Sequence, residues 1–159
     1  MGQWWHKSVD LIAAGRRAEA IEVTRRAAEA GSIGARVRLA RFGDQAGVSQ
    51  ETAEEMIEAA VREVRDDDET AHWNLYTASD LLLGGCEPEE KYHRIQRHLE
   101  KYAQASGDPR AVLAVARRHA DGTPVAQPDV LAAVEWYYYA IALGCKDAKR
   151  ELLGLLGDA

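Results

Sequence analysis

Val23-Thr-Arg-Arg-Ala27-Ala-Glu-Ala-Gly31-Ser-Ile-Gly-Ala35, Leu99-Glu-Lys-Tyr-Ala103-Gln-Ala-Ser-Gly107-Asp-Pro-Arg-Ala111 and Trp136-Tyr-Tyr-Tyr-Ala140-Ile-Ala-Leu-Gly144-Cys-Lys-Asp-Ala148 are three copies of one pattern. Each has an apolar residue eight positions before a glycine, an alanine four before it and an alanine four after it. A fourth boundary follows from the register, because Ala35, Ala71, Ala111 and Ala148 are spaced by 36, 40 and 37 residues, with Asp67 where the second glycine belongs. A period in this range marks a repeat architecture. The glycine suits a helix end that needs positive φ, and the alanines suit sites where two helices approach closely.

Between boundaries the apolar residues recur at helical spacing, and Gly or Pro punctuation divides each unit in two. The pattern predicts helices at about 3–14, 17–30, 34–43, 50–65, 69–83, 88–105, 109–120, 127–143 and 146–157. Pro88, Pro109 and Pro128 fall where first-turn prolines are tolerated. The expectation is an all-α single domain over 1–159, with hairpin units at about 1–31, 32–67, 68–107 and 108–144 and a capping helix at 145–159. One hairpin cannot bury its apolar stripe, whereas stacked hairpins share a core.

The last unit carries a resemblance. Ala111-Val-Leu-Ala-Val115, Gly122-Thr-Pro-Val125, Asp129, Ala133-Val-Glu-Trp136-Tyr137, Gly144 and Ala148 are similar to a Sel-one-like repeat, a relative of the tetratricopeptide repeat. Pro124 replaces one turn glycine and one residue is inserted before Asp129. The first and third units match in their second helices, and the second keeps little more than Gly47-Val48. The resemblance implies a right-handed solenoid whose first helices line a concave face and whose usual work is to hold proteins or peptides. In it Trp136 is a packing residue.

Composition narrows the function. The 159 residues are 47% hydrophobic and 29% charged, with 26 acids against 20 bases, so a basic nucleic-acid-binding surface is disfavoured. Residues 1–45 carry 8 bases and 5 acids, 46–90 carry 2 and 13, and 91–159 carry 10 and 8. The acids from Glu51 to Glu69 read as helix starts and solvated faces. No run reaches the ~18 apolar residues of a membrane span, and the first residues lack an apolar leader core, which points to a cytoplasmic protein. Gly2 is not in a myristoylation motif, because His6 stands where Ser or Thr is required.

The sequence lacks GxGxxG, GxxxxGK[ST], GxSxG and HExxH, so no common catalytic motif supports an enzyme, and no cofactor is implied. His93 and His98 are five apart and face different ways, unlike a metal pair. His119 reads as a packing histidine. Cys86 and Cys145 fall in turns on opposite hairpin edges, about 18 Å apart by helix length, so two free thiols are expected. The run Tyr137-Tyr138-Tyr139 must expose at least one ring. Trp4 and Trp5 begin the chain where no preceding repeat covers it, so one is expected to cap the open end of the core and the other to snorkel or support self-association.

Helix 69–83 buries Ala71, Leu75, Ala78 and Leu82 as one stripe and leaves Trp73, Thr77 and Asp80 on another. The corresponding positions on neighbouring first helices are Lys7, Leu11, Val37, Arg41, Asp44, Arg110, Leu113 and Arg117, with Arg36 and Arg38 close by. An aromatic flanked by arginines suits a groove for a protein or peptide. The expected partner-binding residues are Trp73, Thr77, Asp80, Arg41, Arg117, Arg38 and Arg110. Trp73 would bury apolar surface, Arg41 and Arg117 pair with carboxylates, and Asp80 meet a basic group. Leu152, Leu153, Leu155 and Leu156 admit a homodimer contact. Two rival readings are an inhibitor or immunity protein using acidic segment 51–69, and an enzyme or small-molecule binder with a pocket near Trp73, Tyr76, Asp80, His119 and Arg117.

Overall fold

The computed structural model describes residues 2–78, 88–123 and 126–157. Among these, nine α-helices follow in order: α1 (Gln3–Ala13), α2 (Arg17–Glu29), α3 (Ile33–Phe42), α4 (Gln50–Glu63), α5 (Glu69–Thr77), α6 (Pro88–Ser106), α7 (Pro109–Asp121), α8 (Val130–Ala142) and α9 (Lys146–Gly157). A single 3-10 turn, Gly43–Ala46, continues α3. The only extended pairing among the described residues is one bridge between Thr123 and Ala126 in the α7–α8 turn. The part of the expected 69–83 helix beyond Ala78 lies outside the described residues.

The repeated glycine is a helix stop. Gly31, Gly107 and Gly144 have φ of 103°, 62° and 86°. After α2 the Ser32 N–H donates to the Ala27 carbonyl at 3.0 Å and the Gly31 N–H to Ala28 at 3.0 Å. After α8 the Cys145 N–H donates to Ala140 at 3.0 Å and the Gly144 N–H to Ile141 at 2.9 Å. These paired bonds form the Schellman closure, so the alanine four before the glycine supplies the outer acceptor carbonyl. The alanines four after the boundaries, Ala35, Ala71, Ala111 and Ala148, are all buried. Side-chain caps start the next helices: Ser32 accepts from the Ala35 N–H, Asp68 from Ala71 and Asp108 from Arg110. Pro128 is not in a first turn as expected. It precedes the cap Asp129, whose N–H donates to the His119 carbonyl at 2.8 Å and closes the α7–α8 connection.

The chain forms two compact units, Met1–Glu87 and Pro88–Ala159. In the first, Leu11, Ile21, Val37, Leu39, Ile57 and Leu75 fill the interior between buried alanines. In the second, Leu99, Tyr102, Val112, Val115, Tyr137 and Leu152 do so. Here Tyr137, 4% exposed, is the buried aromatic of α8, while Trp136 is half-buried against Tyr139 at 6.1 Å and Tyr138 is 60% exposed. The exposed ring expected from the tyrosine run is therefore Tyr138. On α9, Ala148 and Leu152 face inward while Leu153 and Leu156 are exposed, so that helix is apolar on more than one side.

Gly34 marks a close helix contact in the first unit. A Cβ there would lie 2.9 Å from Thr70 Cγ2 and 3.1 Å from the Thr70 backbone, so α3 and α5 touch at a point with no room for a side chain. Gly34→Val is expected to lower stability by about 1–3 kcal/mol through overpacking. Gly34→Ala should cost less, because helix propensity returns about 1 kcal/mol. Denaturant titration of both variants checks the order, and a stable valine variant would show that the contact is loose.

Candidate functional site

In the first unit a buried polar relay fixes one arginine. Ser8 on α1 and Thr24 on α2 are fully buried, with their hydroxyl oxygens 3.2 Å apart. Thr24 donates its only hydroxyl proton to the Ala20 carbonyl at 2.8 Å, so Ser8 donates to Thr24 and its own oxygen is left to accept. Arg38 Nε on α3 fills that place at 3.1 Å. Its guanidinium lies 4.5 Å from the Trp5 ring centroid and 5.5 Å from that of Phe42. Both distances suit cation–π attraction.

Two further arginines join it. Arg17 at the start of α2 lies 5.2 Å from the Phe42 centroid and its Nε donates to Gln45 Oε1. Arg41, one turn after Arg38, donates from Nη1 to Thr77 Oγ1 on α5 at 3.0 Å, and Thr77 donates in turn to the Asn74 carbonyl at 3.1 Å. Arg17, Arg38 and Arg41 line one cavity of about 190 Å³ with Ile12 and Phe42. Burial lowers the Arg38 guanidinium to a pKa of about 10, and the charges of Arg41 and Arg17 push the same way. Arg38 stays protonated at neutral pH, but its charge is less favourable there than in water.

Not every expected site residue joins this group. The structure brings Arg38, Arg41 and Thr77 together. Trp73 is half-buried on the same helix as Thr77 and its ring lies 5.8 Å from that of Tyr76. Asp80 lies outside the described residues. Arg117 and Arg110 belong to the second unit. Arg117 Nε donates to Glu151 Oε1 on α9 at 2.8 Å, and that hydrogen bond raises its pKa further. Arg110 is almost fully exposed, 3.7 Å from Asp108. Leu11, Val37 and Leu113, read from the sequence as neighbours of the groove, are 9%, 0% and 7% exposed. They are core residues, because the inward side of each first helix is wider than the register suggested.

Trp5, Phe42 and Arg17 were missed by sequence reading. A faint local signal exists in Arg38 and Phe42, four apart on one helix face. Nothing local ties Arg17 or Trp5 to them, since α1, α2 and α3 meet only in the fold. Trp5, one of the two tryptophans expected at the open end of the core, serves as the platform for Arg38.

The second unit has its own cavity of about 260 Å³, lined by residues of 92–129 that include Tyr92, Gln96, Arg118 and His119. His119 Nε2 stands 2.9 Å from Glu100 Oε1. Trp73, Tyr76 and Arg117 do not line it, so the pocket imagined around all of them is not the one that His119 enters. His98 is buried and His93 exposed on α6, as their spacing requires. Among the described residues no group of three or more His, Cys, Asp or Glu is placed to hold a metal ion. Cys145 is a free thiol; Cys86 lies outside the described residues. No described helix is long and apolar enough to cross a membrane.

These elements define an all-α protein of repeated helical hairpins. A solved structure of similar fold is that of a Sel1 repeat protein from Oxalobacter formigenes, 24% identical, with a TM-score of 0.50 over 87% of this chain. The match spans 55% of that longer chain. No family model matches the sequence and no curated protein matches it. The likeness is one of fold, a Sel1-type helical-repeat solenoid.

Proposed function

We propose that the protein is a non-catalytic interaction module that holds a peptide or protein segment along the first-helix surface of its Met1–Glu87 unit. The observation that carries this reading is the grouping of Arg38, Arg41 and Thr77 from α3 and α5 with Trp5 from α1. Three successive first helices thereby contribute cationic, aromatic and hydroxyl groups to one surface. Aromatic and arginine side chains are the commonest binding hot spots, since they offer large area at low entropic cost and directional hydrogen bonds. The fold likeness fits such a role without specifying it. Trp73 supplies apolar burial beside Thr77, while Arg110 and Arg117 are secondary partner contacts on the Pro88–Ala159 unit by itself. The module acts in the cytoplasm.

Peptides selected from a random library against the wild type are expected to bind Trp73→Ala more weakly by about 2 kcal/mol or more. Circular dichroism shows whether that variant is folded. Equal binding to a folded Trp73→Ala would remove Trp73 from the site, and a library that yields no binder would remove the function.

A further inference from the structure

The basic cavity of the first unit holds two arginines, Arg17 and Arg38, whose charge no described carboxylate pairs with. Among the described residues neither Arg17 nor Arg38 is paired with a carboxylate. The hydrogen bond of each uses Nε, to Gln45 and Ser8, and leaves its two amino groups without a protein partner. Arg41 is positioned by its bond to Thr77. Ile12 and Phe42 form the apolar walls, where a charge interaction is stronger than in open water.

We infer that the Arg17–Arg38–Arg41 cavity binds the phosphoryl group of a phosphate monoester. The Arg17 and Arg38 guanidiniums offer planar, paired donors that match phosphate oxygens, and phosphoryl groups are recognised in this way by arginine clusters. A carboxylate brings one negative charge and two oxygens. A phosphoryl group brings about −1.5 to −2 and three acceptor oxygens at neutral pH, which answers the Arg17 and Arg38 cations more completely. Size agrees, because about 190 Å³ is below the 300–1,000 Å³ range of sites that enclose a whole small molecule. The cavity therefore takes the phosphoryl end of a ligand and leaves the rest outside. Arg38 is pinned by Ser8 and Trp5, Arg17 by Gln45 and Phe42, and Arg41 by Thr77, so little side-chain freedom is lost on binding. A bound dianion also relieves the mutual repulsion that the three cations exert.

The inference deepens the interaction reading by naming what the basic end of the surface recognises, and it rests on that reading only for the source of the phosphoryl group. The test uses the full chain at constant ionic strength, titrated with inorganic phosphate, with a blocked phosphoserine tripeptide and with the unphosphorylated serine tripeptide. Melting temperature and the Nε–Hε signals of the arginines are followed by calorimetry and NMR. Phosphate and the phosphoserine tripeptide are expected to raise the melting temperature and shift the Arg17 and Arg38 signals, while chloride and the serine tripeptide leave both unchanged. Arg17→Gln and Arg38→Gln should each weaken binding about tenfold, as loss of a charged hydrogen-bonding partner does. Arg26→Gln, an exposed arginine paired with Glu22, should not. Tighter binding of the tripeptide than of phosphate supports a phosphorylated protein segment as the source; equal binding supports free phosphate or a small ester. Phosphate that stabilises no more than chloride, or binding indifferent to both glutamine variants, overturns the assignment. Phosphate binding that survives in Trp73→Ala while selected peptides are lost separates this inference from the interaction reading.

Discussion

Leu75→Ala lowers the stability of the Met1–Glu87 unit by about 2–5 kcal/mol, the range for deleting a buried leucine side chain. Leu75 is completely buried on α5, between Ala71 and Ala78 on its own helix face. The loss should fall in the upper half of that range. Cavities cost less when their walls can collapse inward, and here α3 and α5 are already in contact at Gly34 and Thr70, so the helices cannot close further. Tryptophan fluorescence gives the readout, with Trp136→Phe introduced in the background so that Trp4, Trp5 and Trp73 report the first unit alone. Val9→Ala, at an exposed position of the same unit, should stay within about 0.5 kcal/mol of its parent. A Leu75→Ala loss below about 1 kcal/mol would mean that the interior repacks freely, contrary to the close helix contact.

Arg38→Met separates binding from stability. The folded state holds the Arg38 guanidinium at about 10, below its ordinary value, first by burial and then through Arg41 and Arg17. A cation whose pKa falls on folding binds its proton less tightly in the native state. Its charge therefore subtracts from stability at neutral pH, and that burden lifts as pH rises past about 10. Methionine keeps an unbranched stem and a polarizable sulfur against Trp5 while removing the charge. Ser8 continues to donate to Thr24 and loses only the donor that reached its oxygen. The variant is expected to melt at or above the wild-type temperature while phosphate binding falls about tenfold or more. Paired melting and titration experiments read both quantities. A melting temperature clearly below wild type would identify Arg38 as a structural support instead, since a side chain retained for binding commonly costs stability.

Much of the architecture was legible because it depends on neighbours in the chain. Gly31, Gly107 and Gly144 stop helices through bonds that reach back three to five residues, and Ser32, Asp68 and Asp108 start the next ones through bonds that reach forward two or three. Such interactions survive in a sequence read one window at a time. The buried stripe Ala71, Leu75 and Ala78 was equally visible in its helical spacing. Pro128 misled by two residues, because a proline just before a cap and one just inside a helix look alike until the cap is seen.

The proposed surface was only half legible. Arg38, Arg41 and Thr77 were expected there and the fold brings them together, whereas Arg117 is engaged with Glu151 and Val37 is sealed in the core. Which arginine meets a carboxylate of its own chain depends on contacts between helices 34 residues apart, as Arg117 and Glu151 are. Spacing along one helix does not encode that. By itself the sequence determined the repeat, the helix ends and the alanine contacts, all set by local backbone geometry and short-range hydrogen bonds. Only the tertiary structure decided that Trp5, Arg17, Arg38, Arg41 and Phe42 meet, because a charged cavity is made where three helices converge and long side chains choose among partners distant in sequence.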